Sequence, residues 1–283
     1  MDTLTHGLFG VAMYAAAKTP DLSKRERLVL LGSLVFANQA PDLDVLAGVT
    51  ETGRTMMQSW HRGLTHSIAL APLIAWLIWL FARLGYKRKG LYPLLLGGVV
   101  LHDTIDLFNT WGTGYLEPFS DIRVTFGTVP IVDPVIWLIF AVAFFLGRKI
   151  GQRKAIRGAF VGLLVWVAFR SVLGAFYLME EAKRYDEVAL AAGFAPGVYD
   201  VIGRDGDDVE VVRRSVFAER DVTRSFVSDP SVKEELFAQN KKAEVLAGWS
   251  PFVVYGSTED GPFVFDPRIW QGDEPLLIER AFD

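Results

Sequence analysis

The chain contains no cysteine among its 283 residues. Disulfides, thiolate nucleophiles and cysteine-ligated zinc are therefore excluded, and any metal site must be built from nitrogen and oxygen donors. Histidine is scarce as well: there are four, and none follows residue 102. Neither His-Glu-x-x-His nor Gly-x-Ser-x-Gly occurs, which removes the zinc-protease helix and the usual serine-hydrolase elbow. No Lys or Arg precedes the first apolar run, where Asp2 stands instead, so a secretory signal peptide is not expected. Internal repeats and low-complexity segments are also lacking. The net charge of −4 gives no basis for binding nucleic acid, and no such partner is expected.

Apolar side chains are abundant. Hydrophobic residues make up 51% of the chain, with 20 Phe and 8 Trp, which is rich for a soluble domain. Six apolar segments occupy roughly residues 4–17, 28–40, 67–82, 91–108, 131–147 and 156–179. The later ones approach the ~20 residues needed to cross a bilayer; the first two are short enough to be tilted, half-inserted or packed inside. The expected fold class is mainly α: a polytopic α-helical membrane bundle over residues 1–180 with a small β-rich extramembrane domain over residues 181–283. That domain is marked by β-branched runs such as Val209-Glu-Val-Val212 and Phe252-Val-Val-Tyr255, and by turn signals such as Arg204-Asp-Gly-Asp207. A helix is expected near residues 230–246, and the domain reads as a lid or scaffold without ligand residues.

Basic residues set an orientation. Lys18, Lys24, Arg25, Arg27, Arg83, Lys87, Arg88, Lys89, Arg148, Lys149, Arg153, Lys154 and Arg157 fall in alternate loops, and only Arg54, Arg62 and Arg123 fall in the others. This asymmetry predicts a multi-pass protein of the cell inner membrane with the basic loops in the cytoplasm. Both termini and the C-terminal domain are then extracytoplasmic. All the histidine motifs and Pro41-Asp42-Leu43-Asp44 reach that same outer face.

The motifs carry metal chemistry. His102 and Asp106, four residues apart, share one helix face, while Asp103 points about 100° away. They suit a bidentate contribution to one ion, or a buried hydrogen bond between helices. His61 and His66, five apart, suit a turn leading into a helix, with Thr65 or Ser67 near its N-cap and Gly63 in an unusual backbone conformation. Arg62 between them could hold a phosphate or carboxylate, or pair with an aspartate. Asp42 and Asp44 are candidate bridging ligands, or part of a helix-terminating turn. His6 begins the first segment on the same face, and Arg170 is a deep charge needing a structural or substrate partner. Seven candidate ligands, His6, Asp42, Asp44, His61, His66, His102 and Asp106, exceed one coordination sphere. Two divalent ions are expected, zinc or manganese best matching mixed imidazole and carboxylate donors.

The ordered set Met1-Asp-x-x-Thr-His6, Ala40-Pro-Asp-Leu-Asp44, His61-Arg-Gly-x-Thr-His-Ser67 and His102-Asp-x-x-Asp106, followed by Asn109-Thr-Trp-Gly-Thr113 and Pro118-Phe-Ser120, resembles one family. It is the LexA-regulated inner-membrane metal-dependent hydrolase family of the YdjM type. The resemblance covers about residues 1–140, and the remainder looks like the family's longer members. It implies a multi-pass metal-dependent hydrolase, distantly similar to zinc-dependent phospholipase C and its related single-strand nucleases, with the seven residues above as ligands.

The expected function is hydrolysis of a lipid or small membrane-associated phosphoester at the outer leaflet by metal-activated water. Asp44 or Asp103 would accept a proton and Arg62 would neutralise phosphate charge; membrane lipid and the phosphoester are the expected partners. The alternative is a non-enzymatic transporter or metal-sensing membrane protein using the same His/Asp cluster.

Overall fold

A computed structural model describes residues 1–17 and 21–282; Lys18, counted above among the basic loop residues, lies outside the described residues. Helix α1 (Thr3–Ala16) starts where the Asp2 carboxylate accepts from the backbone N–H groups of Leu4 and Thr5. Helix α2 (Lys24–Ala37) starts with a capping box between Ser23 and Glu26. Pro41 then opens a 3₁₀ run, Pro41–Val49, followed by the short helices α3 (Glu51–Thr55) and α4 (Met57–Trp60). A 3₁₀ turn, Leu64–His66, leads to α5 (Ala71–Ala82) and α6 (Leu91–Asp106). An irregular loop ends at Asp133, which caps α7 (Pro134–Ile150); α8 (Gln152–Glu181) follows.

These helices form two apolar cores. In one, Phe9 of α1 meets Ile136 and Phe140 of α7 and Ile156 of α8. In the other, Leu30 and Leu34 of α2 pack with Ala75 of α5 and Leu91, Leu95 and Val99 of α6. The cores adjoin where α1 crosses α2 at Gly10: a Cβ there would lie only 2.5 Å from the Cα of Val35.

The C-terminal half is built on sheets. Strands β1 (Glu187–Ala192), β2 (Val198–Asp205), β3 (Asp208–Ser215) and β4 (Ala218–Val227) form an antiparallel meander. It packs on α8 through Tyr177, Leu190, Tyr199 and Val201. Helices α9 (Lys233–Gln239) and α10 (Lys241–Trp249) replace the single helix expected near 230–246, because Asn240 adopts an extended backbone and caps α10 with its side chain. Strands β5 (Val254–Thr258), β6 (Gly261–Phe265), the short hairpin β7 (Trp270–Gln271) and β8 (Glu274–Pro275), and β9 (Ile278–Arg280) complete the chain, with β5, β6 and β9 forming a second antiparallel sheet.

The expected polytopic membrane bundle is overturned. Each apolar segment does form a helix, but α1, α2, α5, α6 and α7 have only 14, 14, 12, 16 and 17 residues. At 1.5 Å per residue they reach about 18–26 Å, short of the ~30 Å hydrocarbon layer. Among the described residues only α8, with 30 residues, is long and apolar enough to cross. A second span exists only if Met57–His66 and Ala71–Ala82, bent by 74° to one another, are taken together. The fold is a mixed α/β arrangement with two antiparallel sheets. The short helices direct part of their apolar surface at each other, with Phe9, Leu34, Ala71, Ala75 and Leu95 fully buried.

Candidate metal centre

The motifs converge where α1 begins, α2 ends and α6 ends. His102 lies on α6 with its Nδ1 2.8 Å from the backbone carbonyl of Asn38, just past α2. A carbonyl only accepts, so Nδ1 carries a proton, and in the neutral ring Nε2 presents a bare lone pair. His66 Nδ1 faces the Thr65 hydroxyl at 3.2 Å, and that hydroxyl donates to Asp44 Oδ2 at 2.9 Å. Thr65 therefore accepts from Nδ1, and His66 Nε2 is bare too. The two Nε2 atoms stand 3.1 Å apart and lie 3.3 and 3.6 Å from Asp42 Oδ1. Lone pairs facing one another beside a carboxylate repel unless a cation lies between them.

Two ligand groups result. Asp42, His66, His102 and Asp106 each offer one donor atom within 4.8 Å of the others, and Asp42, Asp44 and His61 do the same. This His/Asp cluster could hold a metal ion, and Asp42 belongs to both groups. Among the described residues, Asp42 Oδ1, Asp106 Oδ2 and both ring nitrogens of His6 are buried without a hydrogen-bond partner. Buried unpaired donors and acceptors are costly; a bound cation would satisfy these acceptors.

Charge supports this. Burial opposes ionisation of Asp42, and with both facing Nε2 atoms bare a bound cation is the group that would keep this carboxyl charged. Burial likewise opposes ionisation of Asp106, yet the terminal ammonium and Arg62 beside it keep the group charged. At Asp44 the His61 hydrogen bond, at 2.9 Å, overcomes burial and lowers the carboxyl. His6 is pushed down to about 3, by burial first and then by His102 and the terminal amine, so it is a neutral imidazole. Its ring stacks on His102 at 3.7 Å, with Nε2 3.3 Å from Asp106 Oδ1.

The remaining candidates lie close by. Arg62 adopts a left-handed backbone conformation, φ +59°, which costs a non-glycine residue on the order of 1 kcal/mol or more. In that pose its N–H donates to Asp44 Oδ2 at 2.8 Å and its Nε sits 3.2 Å from Asp106 Oδ2. Arg62 is thus strained, and Gly63 beside it takes the unusual backbone conformation expected of it, with φ −83° and ψ −127° outside the α and β regions. Arg62 Nη1 has no hydrogen-bond partner among the described residues. Asp103 is fully buried with both oxygens unpartnered. Burial, then Asp106 and Asp42, push it up to about 9, so it is protonated at neutral pH.

Ser67, expected near a helix N-cap, instead accepts from Ala69 N–H, and α5 begins at Ala71. Pro41-Asp42-Leu43-Asp44 lies in a 3₁₀ run after the helix rather than at its last turn. Sequence reasoning did not find Asn38, whose carbonyl orients His102, because a backbone atom leaves no residue-type signal. The Met1 terminal amine pairs with Asp106, and burial, then Arg62, lower it to about 6. Arg123 entered only as a loop charge; here it donates to the backbone carbonyls of His61 and Ser59, fixing the histidine loop.

The centre opens on a cleft of about 530 Å³ lined by Asp44, Ser59, Trp60, Leu64, Thr65 and Glu117. Around it Leu43, Val45, Leu46, Val49, Trp60 and Leu64 expose large apolar side chains. A second, more polar cleft of about 400 Å³ shares Ser59, Glu117 and Asp121 with the first. Its other walls include Trp111 and Arg123, and Trp249 and Arg268 from the C-terminal region. His61 lies edge-on to Trp111 at 5.8 Å, and Trp111 meets Trp249 at 5.1 Å.

A buried His/Asp cluster that could hold a metal ion thus lies at the ends of short packed helices. The chain belongs to the YdjM inner membrane protein family, which it matches over residues 1–181. It is also 31% identical over 149 residues to the uncharacterized protein YfhP of Bacillus subtilis (strain 168), covering 49% of this chain and 43% of that protein. The chain thus spans less than half the length of this curated relative. No solved structure matches it.

Proposed function

We propose that the protein is a membrane-bound, metal-dependent phosphoester hydrolase acting on a lipid substrate. The observation that carries this reading is the pair of ligand groups sharing Asp42. Two divalent ions, zinc or manganese, would be held by His66, His102 and Asp106 on one side and by Asp44 and His61 on the other, with Asp42 common to both. His6 would complete the Asp106 side. Such a pair supplies a nucleophile at neutral pH and neutralises charge on a phosphoryl group.

The protein's own groups do the rest. Arg62 Nη1, unpartnered and buried beside Asp106, is placed to receive a phosphoryl oxygen; the ion pair of its Nε with Asp106 and the donation of its Nη2 to the Met1 carbonyl hold the guanidinium in advance. Asp44 lines the cleft and is the carboxylate placed to take a proton from attacking water. Asp103, protonated and unpartnered, is a proton donor next to the cluster. The apolar rim from Leu43 to Leu64 favours a substrate that arrives with acyl chains. The basic residues of 148–157, at the end of α7 and the start of α8, favour a cytoplasmic position for that end, and with it an extracytoplasmic cluster and C-terminal sheets.

The test uses full-length protein purified in detergent, with metal content measured by mass spectrometry and turnover measured on phosphatidic acid and on p-nitrophenyl phosphate. The expected result is bound divalent metal, greater turnover of the lipid, and loss of both metal and turnover in His102→Ala. Metal-free wild-type protein after metal supplementation, or turnover unchanged in His102→Ala, contradicts the proposal.

A further inference from the structure

The β1–β2 loop lies against the middle of α8. The Arg170 guanidinium donates to the carbonyls of Gly193 at 3.1 Å and Ala195 at 3.2 Å, and to that of Thr128 at 3.1 Å. Farther along the helix, a Cβ on Gly174 would meet the Leu190 side chain at 2.7 Å. β1 therefore runs back along α8 from the helix end, and its loop reaches the level of Arg170.

That level can be placed against the bilayer. Arg157 is exposed at the start of the apolar part of α8 and is followed by Gly158 to Phe169 without a charge. From Arg157 to Arg170 the helix rises about 20 Å at 1.5 Å per residue. The hydrocarbon layer is ~30 Å thick. A helix entering at Arg157 still has about 10 Å of lipid to cross at Arg170. The loop clamped there must meet the far leaflet.

Its side chains are suited to that place. Phe194, between the two clamped carbonyls, is 66% exposed, and the neighbouring β3–β4 turn carries Val216 and Phe217, the latter 84% exposed. The turns touch: the Val216 N–H donates to the Gly197 carbonyl at 3.3 Å. The opposite end of the same sheet, at Asp205-Gly206-Asp207-Asp208, is exposed and acidic. Three large apolar side chains without protein cover at one end of a sheet, and carboxylates at the other, match a lipid–water boundary.

We infer that the β1–β2 loop, led by Phe194, inserts into the leaflet at the C-terminal end of α8 as a second membrane anchor. The inference rests on α8 crossing the membrane. It gives the C-terminal sheet a fixed height above the lipid, and with it the cleft walls contributed by Trp249 and Arg268.

Because the chain has no cysteine, single cysteines can carry an environment-sensitive fluorophore in the full-length protein. Phe194→Cys, Ala195→Cys, Leu164→Cys on the exposed face of α8, and Asp207→Cys are labelled in phosphatidylcholine/phosphatidylglycerol vesicles. Quenching by brominated lipid is compared with quenching by aqueous iodide. Labels at 194, 195 and 164 are expected to lose emission to brominated lipid and to resist iodide, with the reverse at 207. Iodide access at both 194 and 195, with 164 still lipid-quenched, overturns the loop anchor while leaving α8 in the membrane. Iodide access at 164 overturns the membrane crossing itself.

Discussion

His102 illustrates how single residues define the centre. Its Nδ1 is committed to the Asn38 carbonyl at 2.8 Å, so in the neutral ring its Nε2 is the accepting atom, and it points at the Nε2 of His66. The histidines and aspartates were legible in the sequence because polar groups inside apolar helices need a reason. The Asn38 carbonyl was not, because main-chain carbonyls occur at every position and gain meaning only from geometry. Asp103 gives a prediction at this scale. Its carboxyl is raised to about 9, by burial and then by Asp106 and Asp42, against an ordinary value near 4. Between those values the folded protein holds a proton that the unfolded chain has lost, so in metal-free protein this group's contribution to stability falls as pH rises. Asp103→Asn removes the charge and flattens that slope. At pH 8 the metal-free variant is expected to be more stable than wild type, by about 1–3 kcal/mol, with the difference vanishing near pH 4. Denaturant unfolding across pH checks this. If Asp103 donates a proton in catalysis, the same variant also loses turnover while retaining metal.

At the scale of elements, helix positions were legible and their role was not. All six apolar segments form helices within a few residues of the expected bounds, because apolar runs punctuated by Gly, Pro and charged loops read alike in a core and in a bilayer. What separates the two is length and neighbour contact, and five of the six are too short. Close approach between them is set by glycine. Gly10 lets α1 touch the backbone of α2 at Val35, and Gly98 on α6 leaves room for Asn38, whose Nδ2 would lie 2.9 Å from a Cβ there. Gly10→Ala forces α1 away from α2, separating His6 from the Asn38–His102 pair. A loss of about 1–3 kcal/mol is expected from overpacking, together with weaker metal retention during dialysis. Gly158, with nothing within 4 Å of a Cβ, is the control: Gly158→Ala is expected to leave metal retention unchanged.

For the whole molecule, the two halves are joined by a charge the sequence singled out without assigning a partner. Arg170 fastens the loop at Thr128 and the β1–β2 loop to α8 and lies over the Tyr199 ring at 4.6 Å. The β-rich character of the C-terminal half was legible from alternating β-branched runs, but its contact with the site was not, since Trp111 and Trp249 are far apart in sequence. Replacing Arg170 by Met leaves three carbonyls without their donor. A loss of about 3 kcal/mol or more is expected, with faster hydrogen exchange in β1 and β2 and little change in the α2, α5 and α6 core. Uniform exchange throughout the chain would mean that the halves unfold as one unit and that the clamp is not their joint.

Asp42 is the residue common to the two proposed ion sites. Crystals of protein prepared with zinc or manganese, measured with anomalous scattering at the metal edge, test this directly. Two peaks are predicted on either side of the Asp42 carboxylate, one toward His66, His102 and Asp106 and the other toward Asp44 and His61, both lost in Asp42→Ala. A single peak, no peak, or a metal bound away from Asp42 would contradict the account.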